Sequence, residues 1–180
     1  LDGVTFDTDV TVDQGAIVTV LSGLVLNGTM TLNRETTSSS STYDMGLNFS
    51  GGRQTLGGTG EVVLNNTGRS DFQERYLRIM PTNGAELTIG PDMTVRNTGR
   101  VATIGSSSFP LIVEGSIIGD RSDGTLRVTG STVTNRGAMQ VNGGVLYIDN
   151  LQGSAEALSV APDVELDISG TYSINQDIAF

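Results

Sequence analysis

Apolar residues recur two apart along this chain in short runs, and each run is followed by another about six residues later. VTFDTDVTV (residues 4–12), LTIGPDMTV (87–95) and LSVAPDVEL (158–166) superpose without gaps, with Asp9, Asp92 and Asp163 at a common place. VTVLSGLVL (18–26) has the same form with Gly23 at the turn, and runs on through NGT into MTL (30–32). TVRNTGR (94–100) and TVTNRGA (132–138) form a shorter echo. In an extended strand, residues two apart point to one side. Each triplet therefore aims two apolar side chains the same way, and a corner of Gly, Asn, Asp or Pro then redirects the chain. Strands of three residues are too short for an ordinary sandwich, whose strands run to about five or six.

The pattern predicts an all-β fold, a single-stranded parallel β-helix (β-solenoid) in one domain over residues 1–180. A period near 20 residues predicts about nine coils, and their irregular lengths favour the right-handed form over the strict left-handed hexapeptide coil. A β-sandwich of many short strands is the alternative fold, but it leaves the six-residue step unexplained. The expected inward column is Phe6, Val18, Val20, Leu24, Leu26, Met30, Leu32, Leu87, Ile89, Val95, Leu126, Val128, Val145, Leu158, Val160 and Leu166. Three stretches break the pattern and read as loop excursions, near 34–46, 65–76 and 105–110. The second holds a candidate recognition patch: Arg69, Asp71, Phe72, Glu74, Arg75 and Tyr76. Two aromatics and four charges in one excursion suit a binding surface, whereas the serine-rich 34–46 stretch reads as a plain surface loop.

Composition narrows the chemistry. Cys, His, Trp and Lys are absent, and all ten cations are arginines against 20 acidic residues, a formal charge of −10. Thiolate nucleophiles, disulfides, histidine or cysteine metal sites, the Ser-His-Asp relay and lysine Schiff bases are thereby excluded. The negative charge argues against nucleic acid, and no apolar run reaches the roughly 18 residues of a membrane helix. GGRQTLGGTG (51–60) lacks the lysine of a phosphate-binding loop and precedes a strand. Asp7 with Asp9, and Asp120 with Asp123, are the candidate calcium ligands, although neither belongs to a calcium-binding nonapeptide array and each also suits a hydrogen-bonded turn. No other cofactor is expected. Polysaccharide cleavage by paired carboxylates is the enzymatic alternative, but the acids lie singly at corners, and no catalytic residue is assigned.

The runs at 26–33, 47–66 and 111–150, among them LNGTMTLN and LIVEGSIIGDRSDGTLRVTGSTVTNRGAMQVNGGVLYIDN, resemble the filamentous-haemagglutinin-like and autotransporter-passenger β-helices of large bacterial surface and secreted proteins. The resemblance implies a non-enzymatic extracellular or cell-surface rod in adhesion, biofilm or fibre formation. A surface glycan or host-cell partner would fit that role. A carbohydrate-binding or polysaccharide-degrading β-helix is the alternative. The chain opens on Leu1 with no signal-peptide pattern after it, so a segment or processed form of a longer polypeptide is expected, stacking on neighbouring coils or end-to-end with other copies.

Overall fold

In a computed structural model that describes residues 1–13, 15–34, 45–67, 77–153, 158–173 and 178–179, the chain winds as short strands around one axis. The first turn is β1 (Val4–Phe6), β2 (Val10–Val12) and β3 (Ile17–Val20), and the second is β4 (Leu24–Leu26), β5 (Thr29–Arg34) and β6 (Met45–Ser50). Next come β7 (Arg53–Gly57), β8 (Glu61–Asn66) and β9 (Leu77–Thr82), then β10 (Glu86–Ile89), β11 (Thr94–Asn97) and β12 (Val101–Ser106). The fifth and sixth turns are β13 (Leu111–Val113), β14 (Ser116–Gly119), β15 (Thr125–Gly130), β16 (Val133–Asn135), β17 (Ala138–Val141) and β18 (Val145–Asp149). The seventh is β19 (Leu151–Gly153), β20 (Leu158–Val160) and β21 (Glu165–Ser169), and β22 (Ile178–Ala179) follows.

Every third strand pairs, in parallel. Sheet I is β1-β4-β7-β10-β13-β16-β19, sheet II is β2-β5-β8-β11-β14-β17-β20-β22, and sheet III is β3-β6-β9-β12-β15-β18-β21. The predicted parallel β-helix is the fold. Seven strands at ~4.8 Å give a stack about 30 Å long. The described residues thus make seven full turns and part of an eighth, fewer than a uniform period predicts. Partner offsets along sheet I are 20, 32, 33, 24, 22 and 18 residues, so two long turns consume the difference.

The core is a set of columns in which one inward residue per turn stacks on the next. Met30, Val62, Val95, Ile117, Met139 and Leu158 form one in sheet II. Leu47, Ile79, Ile104, Val128 and Ile148 form another in sheet III. All of these are at most 2% exposed. The expected inward residues sit in this core except Val145, which lies outside between Thr125 and Glu165, while its neighbours Leu146 and Ile148 point in. In VLYID three of the five residues are aliphatic, so alternation alone leaves the phase open, and the pairing of Leu126 with Leu146 decides it. Phe6, Val18 and Leu166 face the core but are only partly buried, because they belong to the first and last turns.

The repeated nonapeptide marks a kind of corner, not a position in the coil. Residues 4–12 and 87–95 pass from sheet I to sheet II, 158–166 from II to III, and 18–26 from III to I. One corner is a column of glycines at close backbone approach. A methyl at Gly60 would lie 2.2 Å from the Gly28 carbonyl oxygen, at Gly115 2.3 Å from that of Gly90, and at Gly137 2.0 Å from that of Gly115. Side-chain-free corners let successive turns stack at strand spacing.

Candidate functional site: the lateral faces of the rod

The recognition patch expected at Arg69, Asp71, Phe72, Glu74, Arg75 and Tyr76 lies outside the described residues. Its flanks are described. Arg34 pairs with Asn66 and Met45 with Leu77, so the first two expected excursions leave and rejoin neighbouring strands at the same corner, between sheets II and III. Arg34, Met45, Asn65 and Asn66 themselves belong to strands, so these edges of the expected 34–46 and 65–76 stretches are part of the coil, and residues 35–44 and 68–76 lie outside the described residues. The third, 105–110, is no excursion. It is a tight turn closed by a bridge between Ser106 and Phe109, and Leu111 starts the next strand.

The structure assembles a polar ladder that the sequence does not show. On the outer side of sheet II, Arg96 reaches across turns in both directions, with Nε 2.7 Å from Glu61 Oε1 and Nη1 2.5 Å from Asp120 Oδ2. Asn142 Nδ2 donates to Asp120 Oδ1 at 2.6 Å, and Gln140 donates to Asn142 at 2.9 Å. Arg53 pairs with Glu86, Arg136 with Glu114 and Arg100 with Asp123 in the same cross-turn manner, each at 3.4 Å, while Arg121 also holds Asp123. Glu61, Arg96 and Asp120 are 35 and 24 residues apart, so only the register brings them together.

Burial pushes the Asp120 carboxyl up, but the hydrogen bonds from Arg96 and Asn142, with the Arg96 charge, outweigh it and hold the group below the ordinary aspartate range. The bonds to Asp120 and then Glu61 raise the Arg96 guanidinium. The Arg121 hydrogen bond lowers Asp123. A carboxyl depressed on folding stabilises the protein above its ordinary value, near 4, and that stability disappears as the pH falls through the lower folded value. Asp120→Asn is therefore expected to flatten the acid limb of the melting curve. The effect is about 0.5 kcal/mol or less, since the Asp120 side chain is 31% exposed. Melting midpoints between about pH 6 and pH 2 check this. Equal slopes for variant and parent would remove the ladder from the account.

The two candidate calcium pairs are engaged by the protein itself. Asp7 accepts from Asn27 Nδ2 at 2.7 Å and Asp9 from the Thr29 amide at 2.8 Å, which fastens the first corner to the second turn. Asp120 and Asp123 are bound by arginine, and no group of three or more metal-ligating side chains occurs among the described residues. On the outer face of sheet III, Arg78, Thr103, Arg127, Tyr147 and Asp167 occupy successive register positions. The Arg127 guanidinium lies 4.4 Å from the centre of the Tyr147 ring. Comparison with protein-family models, curated proteins and solved structures finds no match for the chain.

Proposed function

We propose that the chain is a non-catalytic, structural and adhesive rod of the extracellular or cell-surface kind. The unbroken apolar column carries this reading. Three sheets close around one core from the first turn to the last, so added turns build length and lateral surface. The flanking carboxylates support it, because Glu61, Glu86, Glu114, Asp120 and Asp123 are tied to arginines. Glycoside hydrolysis instead needs two acids aimed at one bond.

Two measurements test the proposal together. Antibodies to the chain are expected to label intact, unpermeabilised source cells, and beads coated with the protein should attach to cell or glycan surfaces without releasing sugar products. Labelling that requires permeabilisation, or release of reducing ends from a polysaccharide, would overturn it. Glycan binding is the second reading, favoured by the Arg127–Tyr147 stack in line with Arg78 and Thr103. Bead attachment lost in Arg127→Ala and retained in Arg53→Ala, on sheet I, assigns binding to the sheet III face.

A further inference from the structure

The described arginines are not used alike. Arg53, Arg96, Arg100, Arg121 and Arg136 are each tied to a carboxylate. Arg127 is not. Among the described residues no carboxylate pairs with it and no oxygen accepts its N–H groups, and what holds it is the Tyr147 ring, 4.4 Å away. A ring face attracts a cation through its quadrupole and consumes no N–H donor. The planar fork of Arg127 is therefore steadied by the stack and left for an acceptor from outside the chain. Both residues are partly exposed.

The surrounding face is divided by charge. The chain as a whole carries −10, yet the charged residues of β9, β12 and β15 are Arg78 and Arg127, with no acid among them. These two lie two turns apart in one row, about 10 Å along the axis. On β18 and β21 the charged residues are Asp149, Glu165 and Asp167, with no cation. Arg127 and Tyr147 stand where the two halves meet. Thr103 precedes Arg127 in its row, and Thr125 and Val145 lie beside the stack in the neighbouring row. A free guanidinium, hydroxyls, an apolar patch and acceptor carboxylates match the anion, hydroxyls and C–H face of an acidic sugar.

We propose that the sheet III face binds a glycan through a single carboxylate-bearing sugar, which Arg127 holds with Tyr147 as its positioning residue. This deepens the glycan reading, on which it rests, by naming the sugar class and the group that binds it. A guanidinium fork meets a carboxylate in two parallel hydrogen bonds. Glu165 and Asp167 then accept from hydroxyls of the adjoining neutral units, and they repel a second anion, so a polyanion does not continue along the face. An acidic peptide is disfavoured for another reason. β9, β12, β15 and β18 are paired on both sides, so the face offers no open edge for a strand to join.

Isothermal titration calorimetry tests the assignment with xylotriose carrying one glucuronate, and with the same oligosaccharide after reduction of that carboxyl to an alcohol. The acidic form is expected to bind at least about tenfold more tightly, the worth of one charge-assisted hydrogen bond. Its affinity should fall as salt rises from about 0.02 M to about 1 M. Arg127→Gln should abolish the difference between the two forms, and Arg127→Lys should keep part of it. Tyr147→Ala should shrink the difference and Tyr147→Phe, which retains the ring, should restore it. Arg53→Ala is the control and should bind as the parent does. Equal affinity of the parent for the two forms would overturn the acidic sugar and leave a neutral glycan in place. An undiminished difference in Arg127→Gln would overturn the site. Equal or tighter binding of tetraglutamate, or of a sulfated sugar in place of the glucuronate, would overturn the ligand class. Binding of neither form also overturns the proposal, and bead attachment that persists then preserves the broader glycan reading. A parental circular dichroism spectrum certifies that Arg127→Gln is folded, and if it is not, Arg127→Lys carries the comparison alone.

Discussion

Leu87→Asp is expected to unfold the chain under conditions in which Thr88→Asp, one residue along, changes stability by no more than about 0.5 kcal/mol. Leu87 is fully buried in β10, stacked between Gln54 of the preceding turn and Leu111 of the next. Losing the burial of a leucine costs about 1.5–3 kcal/mol, and an unpaired carboxylate in that column adds several more. Marginal domains have only about 5–15 kcal/mol in total. A break at mid-rod is worse in a solenoid, whose stability is a sum over turns and the interfaces between them. Urea unfolding followed by circular dichroism is the measurement. Equal midpoints for the two variants would mean that inside and outside are assigned wrongly.

The second large effect is expected at a corner. In Gly137→Ala the new methyl would meet backbone, 2.0 Å from the Gly115 oxygen and 2.5 Å from the Glu114 oxygen, and backbone cannot swing aside as a flexible side chain can. The turns must separate locally, breaking pairing between β14 and β17, with a cost of about 2–4 kcal/mol. Gly57→Ala is the control. Its methyl meets only Thr55 Cγ2, at 3.6 Å, an ordinary contact, and reduced freedom of the unfolded chain offsets much of any cost. A melting shift of several degrees for Gly137→Ala beside little change for Gly57→Ala is the expected result. Similar shifts would show that the corner has room to relax.

These predictions also mark where sequence reading succeeds. Leu24, Leu26, Met30 and Leu32 are legible as core because two-residue alternation between Gly and Asn corners has one consistent phase. Val145 misleads because its strand offers aliphatic residues on both faces. The 105–110 stretch misleads in another way: its serines and proline suggest a loop, but Ser106 and Phe109 close it within four residues. The Glu61–Arg96–Asp120 ladder carries no local signal at all, since each residue alone is an ordinary outward charge, Glu61 and Arg96 on strands and Asp120 just past the end of β14.

Alternation and corner chemistry, both properties of a few consecutive residues, are enough to establish that this chain is all-β, that its triplets face inward and that it coils. They cannot say which triplet lies over which. The same nonapeptide serves all three corners, and the turns differ in length from 18 to 33 residues, so no constant period assigns a strand to its sheet. That assignment belongs to the tertiary structure, because a column lowers its free energy only when apolar side chains of successive turns close on one another. Once stacking sets the register, the ion-pair ladder and the sheet III face take their places in space.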